Sequence, residues 1–352
     1  MGLKAHGGDI YSYINENSGK PIDFSASINP LGLPKGVKKV LKSSVNQFAA
    51  YPDVNCTKLK KALSEYENIN PDCISLGNGA ADIIFHLVYA LKPQKALLLA
   101  PTFSEYELAL KNVDCMINYH ALFPENNFMV KEDLLSKIEG MDILFICNPN
   151  NPTGMVTDIE LLKRIAEKSK ETGCLLVIDE CFVDFMENSL RYSFKSFLNE
   201  YENIIILKAF TKIFAMAGLR LGYCLSSNKE LLKRINTANQ PWSVSVPAQL
   251  AGVEALKDQN YISKTLKNTT KERHYLTNQL QKMSICVFES YSNFILFRIN
   301  EGIDLYSELY KKGIIIRKCE NFKGLDSGYY RIAIKNHADN TKFIHAIKEI
   351  LK

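Results

Sequence analysis

Short runs of almost uninterrupted apolar residues alternate with helical patterns from about residue 55 onward, and no other feature restricts the fold as strongly. The clearest runs are KALLLAP (95–101), DILFICNP (142–149), CLLVIDE (174–180) and NIIILKA (203–209). Strands that are apolar on both faces are typical of a mostly parallel sheet covered by helices on either side. The sequence therefore predicts an α/β fold.

A second structural unit is indicated where the alternation weakens, around QPWSVSVP (240–247). One long helix is predicted over about 246–283, and a strand–helix–strand–strand–helix pattern follows from Cys286 to Leu351. A chain of 352 residues also exceeds the size at which a single hydrophobic core usually stops growing. We expect an N-terminal arm (1–40) that contributes to the small domain and the active site, a large domain (41–240) and a small C-terminal domain (241–352).

The composition argues against several classes of protein. The 43 basic and 38 acidic residues are spread along the chain without a dense basic patch, so nucleic acid is not an expected partner. No run approaches the roughly 18 apolar residues of a membrane span, and the N-terminus lacks the apolar core of a signal peptide, so we expect a cytoplasmic protein without a membrane partner. The nine cysteines and six histidines show no ligand spacing, so no metal site is expected.

Lys212 stands in a mostly apolar segment, KAFTKIFAMAGLRLGY (208–223). A buried lysine loses hydration, its pKa falls, and the neutral amine can then attack a carbonyl to form a Schiff base. The alternative is a lysine whose stem lies on apolar surface while its ammonium reaches water. The residues that follow the other strands favour the first interpretation.

Polar residues follow four of the predicted strands, at the edge of a parallel sheet where ligands bind. These are GNGA (77–80) at a helix start, NPNNPTG (148–154), Asp179, and Lys212 with Arg220. A Gly-rich turn at a helix N-terminus favours an anion such as phosphate, and an Asp after an apolar strand needs a partner such as a protonated ring nitrogen. Together they supply an amine for an aldehyde, a carboxylate for a ring N–H and donors for a phosphate, which predicts pyridoxal 5'-phosphate as the cofactor.

The order and spacing of Asn151, Asp179, Lys212 and Arg220 resemble those of fold-type-I pyridoxal-phosphate-dependent aminotransferases, and the resemblance covers essentially the whole chain. It implies that Lys212 is the catalytic Schiff-base lysine, that Asn151 donates to the phenolic oxygen and that Asp179 accepts from the ring nitrogen. It further implies a homodimer with composite sites. The other cofactor contacts that it implies are a phosphate site of Gly79, Ala80, Thr211, Arg220 and Tyr51 of the partner subunit, and ring stacking by Phe103.

Three positions depart from common patterns of this superfamily. Ala209 stands three residues before the lysine, where Ser or Thr usually donates to the phosphate. Phe182 stands three residues after Asp179, where aminotransferases commonly have a Tyr that donates to the phenolic oxygen. Ser27 replaces the Asn of the SANINP pattern.

Within the superfamily, HGGDI (6–10), DFSASINPLGLP (23–34) and IIIRKCENFKGLD (314–326) are similar to threonine-phosphate decarboxylases, a family of cobalamin biosynthesis that has Phe at the position of Phe182. This similarity implies decarboxylation of L-threonine O-3-phosphate to (R)-1-aminopropan-2-yl phosphate. The candidate substrate contacts are Arg331 for the carboxylate and Arg317 for the phosphate, with His6 and Asn29 close by.

Three alternatives remain open from the residues. The sister family of histidinol-phosphate aminotransferases has the same core and would transfer the amine instead. L-Serine O-phosphate differs from the proposed substrate by one methyl group, which is worth only about 1–3 kcal/mol in a hydrophobic pocket. A cofactor-binding transcription regulator is least favoured, because no added DNA-binding helical domain is recognisable in the sequence.

Overall fold

The computed structural model describes residues 7–17, 19–299 and 302–352. Its strands are β1 (Ile22–Asp23), β2 (Ile74–Gly77), β3 (Lys95–Ala100), β4 (Met116–Ala121), β5 (Ile143–Cys147), β6 (Leu175–Asp179), β7 (Ile204–Ala209), β8 (Gly222–Leu225), β9 (Cys286–Val287), β10 (Phe294–Arg298), β11 (Ile314–Ile315), β12 (Arg317–Lys318) and β13 (Tyr329–Ala333). Its helices are α1 (Ile10–Glu16), α2 (Lys35–Ser43), α3 (Thr57–Glu67), α4 (Ala80–Leu91), α5 (Ser104–Lys111), α6 (Ile159–Thr172), α7 (Ser189–Tyr192), α8 (Phe210–Ile213), α9 (Lys229–Ala238), α10 (Val246–Ala255), α11 (Gln259–Gln281), α12 (Leu305–Lys311) and α13 (His337–Ile350).

Seven strands form the large sheet in the order β2–β8–β7–β6–β5–β3–β4. Five of them, β3 to β7, run parallel, whereas β8 is antiparallel to both β7 and β2. Successive residues of β5 enter two different cores, with Leu144 and Ile146 on one face and Ile143 and Phe145 on the other. The α/β prediction is confirmed, and burial on both faces explains the uninterrupted apolar runs.

The smaller sheet is antiparallel, in the order β12–β13–β10–β9. The N-terminal segment reaches this part of the molecule, because β1 pairs in parallel with β11. Ile22 and Ile314 are Cα partners in that pair. The domain boundaries near residues 40 and 240 stay a prediction.

Two predictions about individual elements are corrected by the structure. The single helix predicted over 246–283 is two helices, α10 and α11, and Asp258 begins the second by accepting a hydrogen bond from the Tyr261 N–H (3.0 Å). Strand β4 was not among the predicted strands, because it is the half-exposed edge of the sheet and has no continuous apolar run. Among the described residues, no helix is long and apolar enough to cross a membrane.

Candidate active site

A cavity of about 350 Å³ lies where three neighbouring parallel strands end. Cys147, Asp179 and Ala209 are the last residues of β5, β6 and β7, and all three line it. The carboxyl edge of an open parallel sheet is where such folds bind ligands. Nine of the predicted site residues line this cavity together: Ala80, Phe103, Asn151, Asp179, Thr211, Lys212, Arg220, Arg317 and Arg331.

Lys212 sits in the one-turn helix α8, directly after β7. Burial, followed by the nearby Arg331 guanidinium, lowers the pKa of Lys212 to about 8. No carboxylate of the described residues forms a salt bridge with it, and its Nζ lies 6.0 Å from the ring centre of Phe182. A lysine in these surroundings keeps a substantial neutral fraction near pH 8, which is the form that attacks a carbonyl.

Asp179 is buried at the end of β6, with 4% of its surface exposed. Its Oδ2 accepts a hydrogen bond from the Tyr106 hydroxyl (2.6 Å), and its Oδ1 accepts one from the Cys181 N–H (3.0 Å). Both donors are neutral, so neither hydrogen bond neutralises the carboxylate. Sequence reasoning missed Tyr106, although its position three residues after Phe103 on the helical stretch 104–112 was the available signal.

The N-terminus of α4 forms an anion cradle with Arg220. Gly79 precedes the helix with φ +95°, and a Cβ at this position would lie 2.6 Å from an Arg220 Nη atom. A Cβ at Gly222 would lie 2.4 Å from the Ala80 nitrogen, so glycine at both places permits the close approach of β8, Arg220 and the helix start. Free backbone N–H groups, the helix dipole and a guanidinium together suit a phosphate.

Arg317 and Arg331 are directly opposite each other on β12 and β13, and both are buried. Arg331 donates to Asn151 Oδ1 and to the Ser25 carbonyl oxygen (2.8 Å). Arg317 donates to the Lys318 carbonyl oxygen (2.8 Å) and to Asn321 Oδ1 (2.7 Å).

The two guanidiniums also affect each other electrostatically. Burial lowers the pKa of Arg331 to about 10, and the neighbouring Arg317 adds to this decrease. Burial lowers the pKa of Arg317 as well. Two buried like charges side by side are costly, and an anion bound between them would relieve that cost.

Three predicted site residues that the structure describes are not among the cavity-lining residues. Gly79 stands just behind Ala80, where it gives room to Arg220. The side-chain amide of Asn29 instead donates to the Ile213 carbonyl oxygen and to Thr265 Oγ1 (both 2.7 Å), so this residue supports the lysine turn from behind. Tyr51 is 80% exposed, and His6 lies outside the described residues.

Residues of the N-terminal segment and the small sheet complete the cavity without having been predicted. Ser25 lines it and accepts from Arg331 through its carbonyl oxygen, and Phe322 lies with its ring centre 5.1 Å from the Arg317 guanidinium carbon. Ser27 Oγ and Arg331 Nε are both buried and have no hydrogen-bond partner among the described residues. Such atoms are open to a ligand that accepts hydrogen bonds.

Comparison with known proteins identifies the family. Residues 19–347 match the family described as aminotransferase class I and II. The chain belongs to this family. Over 353 residues it is 34% identical to the threonine-phosphate decarboxylase of Salmonella typhimurium, an alignment that covers 99% of this chain and 96% of that protein. It is also 30% identical to the histidinol-phosphate aminotransferase of Methanosphaera stadtmanae, over 94% of this chain and 90% of that one.

A solved structure of the family is equally close. The crystal structure of the histidinol-phosphate aminotransferase from Clostridium acetobutylicum superimposes with a TM-score of 0.88, at 36% identity, over 94% of this chain and 99% of that one. The chain is a pyridoxal-phosphate-dependent enzyme, as this family membership establishes. The residues present fit that cofactor, since the cavity combines a half-buried lysine, a buried carboxylate with neutral donors only, and a cradle that a Cβ would fill.

Proposed function

We propose that this enzyme decarboxylates L-threonine O-3-phosphate to (R)-1-aminopropan-2-yl phosphate and carbon dioxide. Its similarity to threonine-phosphate decarboxylases connects this reaction to cobalamin biosynthesis. The observation that carries the proposal is the register of the small sheet, which sets Arg317 and Arg331 opposite each other beside Lys212. A substrate with two anionic groups could bind to both guanidiniums at once. Phosphothreonine has a carboxylate at one end and a phosphate at the other.

Asn151, Asp179 and Arg220 hold the cofactor in this proposal. Arg220, with the α4 N-terminus and Thr211, would bind its phosphate, while Asp179 would face its ring nitrogen and Asn151 its phenolic oxygen. Phe103, which lines the cavity, would pack on the ring. When bound, pyridoxal phosphate supplies an aldehyde that condenses with amines and a ring that accepts the electron pair of the bond that breaks.

The two arginines select which bond of the substrate breaks. A bond to Cα breaks when it stands perpendicular to the cofactor ring, because only then do its electrons overlap the π system. With the carboxylate bound by Arg331 and the phosphate by Arg317, rotation about the N–Cα bond would be restricted, which would favour loss of the carboxylate. Lys212, which lines the same cavity, would be the group that returns a proton to Cα.

An aminotransferase of the histidinol-phosphate type is the second candidate, favoured by the structure that is 36% identical. Phe182 supports the decarboxylase, because a Phe at this position offers the phenolic oxygen no hydroxyl donor, in contrast to the Tyr of many aminotransferases. Histidinol phosphate carries no carboxylate, so it offers the two guanidiniums one anionic group where phosphothreonine offers two. Phosphoserine satisfies both arginines and differs only by the methyl group.

The proposal is tested by removing one guanidinium at a time. Arg317→Leu is expected to lower kcat/KM for phosphothreonine by about 100-fold, the scale of losing a charged hydrogen-bond partner, and to affect threonine far less. Arg331→Leu is expected to lower kcat and raise KM together, and to increase side transamination relative to decarboxylation. Arg298→Leu, on β10 and paired with Asp326 outside the cavity, is the matched control. Equal losses for phosphothreonine and threonine in Arg317→Leu would move the phosphate site elsewhere.

We further propose a homodimer in which Tyr51 completes the site of the partner subunit. The proposal is supported by an exposed apolar surface around Tyr51. The ring centres of Tyr51 and Trp242 lie 4.7 Å apart, and Val54 borders the same pocket as Trp242. Mixing inactive Lys212→Ala with weakened Tyr51→Ala is the test. In a mixed dimer with shared sites, one site has both native residues, so activity returns, whereas sites confined to one subunit would regain none.

A further inference from the structure

Tyr106 makes a hydrogen bond that no role given above accounts for. It belongs to α5, while Asp179 ends β6, and the two meet in the interior behind the cavity. The Tyr106 side chain is fully buried, and its hydroxyl donates to Asp179 Oδ2 at 2.6 Å, a short bond of the kind that charged acceptors form. Burial raises the pKa of Tyr106 well above its ordinary value, so the phenol stays protonated and remains a donor.

The tyrosine ring is fixed independently of this hydrogen bond. It stacks on Phe145 with the ring centres 4.8 Å apart and the planes 16° apart. It also forms an edge-to-face pair with Phe103, at 5.6 Å between centres. Since Phe103 lines the cavity, the hydroxyl is positioned by the same aromatic group that borders the cofactor site.

We propose that Tyr106 is a positioning residue, which holds the Asp179 carboxylate toward the cofactor's ring nitrogen and takes up part of its negative charge. The inference rests on the part of the proposed function that sets Asp179 against the ring nitrogen, and it holds for either substrate. A carboxylate that accepts two fixed donors, from Tyr106 and from the Cys181 N–H, cannot turn away from its partner.

The charge that faces the cavity is set by Asp179, Lys212 and the ionisable groups next to them. Asp179 is neighboured by Tyr106 on α5, Cys147 at the end of β5, Cys181 after β6 and Lys212 on α8. Lys212 in turn faces Arg331 and Arg220, whose positive charges oppose its protonation. Because Asp179 is the carboxylate that favours the protonated form of Lys212, changing its charge density changes how firmly protons are held at Lys212.

The test is a pH titration of absorbance in the cofactor-loaded, full-length protein, together with the rate of cofactor dissociation. Tyr106→Phe removes only the hydroxyl and leaves both ring contacts. More negative charge then faces the cavity, so the midpoint of the absorbance change is expected to move upward by about half a pH unit, a part of the effect of one charged hydrogen bond. Looser positioning of Asp179 is expected to speed cofactor release several-fold.

Two further variants make the result decisive. Tyr223→Phe is the matched control, because its hydroxyl also donates to a buried carboxylate, that of Glu67, which does not line the catalytic cavity. Its midpoint is expected to equal that of the unmodified protein. In an Asp179→Asn background, Tyr106→Phe is expected to cause no additional shift.

Three outcomes would overturn the inference. A midpoint in Tyr106→Phe no different from that in Tyr223→Phe would show that the hydroxyl does not tune the site. An equal shift in the Asp179→Asn background would show that Tyr106 acts on another group. Unchanged absorbance and cofactor release in Asp179→Asn would show that Asp179 does not face the ring nitrogen. That result would contradict the proposed function, whereas the first two outcomes would contradict only the role of Tyr106.

Discussion

Lys208 and Lys212 lie four residues apart, on β7 and on the turn that follows it, and they show opposite electrostatics. Lys208 is 4% exposed and forms salt bridges with Asp184 (3.0 Å) and Glu67 (3.5 Å). Although burial opposes it, these carboxylates raise the pKa of Lys208 well above its ordinary value. For Lys212, burial and two arginines lower the pKa to about 8. Partners, more than burial, decide whether a lysine withdrawn from water serves stability or chemistry.

The Lys208 cluster is a set of paired charges that line a different pocket from the catalytic cavity. Glu67 accepts from Lys195 (2.8 Å) and from the Tyr223 hydroxyl. Despite burial, Lys208 and Lys195 lower the pKa of Glu67 to about 2. Every charge in this cluster is paired, whereas no carboxylate of the described residues forms a salt bridge with Lys212 or Arg331 in the catalytic cavity. An anionic ligand is therefore expected in the cavity and not in the cluster.

The largest effect is expected for Lys212→Ala. Turnover should fall by roughly 10⁴-fold or more, the scale of losing a nucleophile, and borohydride should no longer attach the cofactor to the chain. Because Lys212 has no salt-bridge partner among the described residues, the free energy of unfolding should change by less than about 1 kcal/mol. Turnover assays, peptide mapping after reduction and urea unfolding check the three parts. A reduced adduct on another lysine would give the catalytic role to that residue.

Lys208→Met is expected to have the reverse effect. It leaves Glu67 and Asp184 without their buried cation, so the free energy of unfolding should fall by about 3–5 kcal/mol, while kcat of the folded enzyme stays near that of the unmodified protein. Urea unfolding measures the first quantity and initial rates the second. Lys195→Met, whose lysine is more exposed, serves as the control and should destabilise less. If the unfolding free energy did not change in Lys208→Met, the contrast between the two lysines would not hold.

A smaller effect is expected from Glu180, the neighbour of Asp179. Burial raises the pKa of Glu180 from 4.5 to about 7, so the folded protein keeps a proton that the unfolded chain releases near pH 4.5. The contribution of this group to the free energy of unfolding is therefore lost as the pH rises from 4.5 to about 7, by up to about 3 kcal/mol. Glu180→Gln can keep the hydrogen bonds to Ser193 and Phe194 and should flatten this part of the pH profile of unfolding. An unchanged profile would place the titration in another group.

Most of the cavity residues that the sequence predicted follow a predicted strand. Asn151, Asp179 and Lys212 meet because parallel strands end at one edge, and a strand can be recognised from its apolar run. Arg331 lies within the run YYRIAI, so its position in the cavity followed from the family resemblance and not from the pattern.

The remaining features depend on contacts between distant segments, which periodicity does not encode. Glu67 and Lys208 are far apart in sequence, and only the packing of α3 against the sheet brings them together. Asn29 could be recognised as part of a motif, but its hydrogen bonds to Ile213 and Thr265 show a supporting position that no local pattern reveals. The pairing of Arg317 with Arg331 likewise depends on the register of β12 and β13.

The central claim is that the cavity around Lys212 and the two arginines breaks the carboxylate bond of a doubly anionic phosphorylated amino acid. The most direct measurement follows purified, cofactor-loaded enzyme with phosphothreonine and assays carbon dioxide and pyridoxamine phosphate in the same sample. We expect equimolar carbon dioxide for the phosphothreonine consumed, with the cofactor recovered as pyridoxal phosphate. Accumulation of pyridoxamine phosphate with histidinol phosphate, its amine then passing to 2-oxoglutarate, without carbon dioxide from phosphothreonine, would contradict the claim.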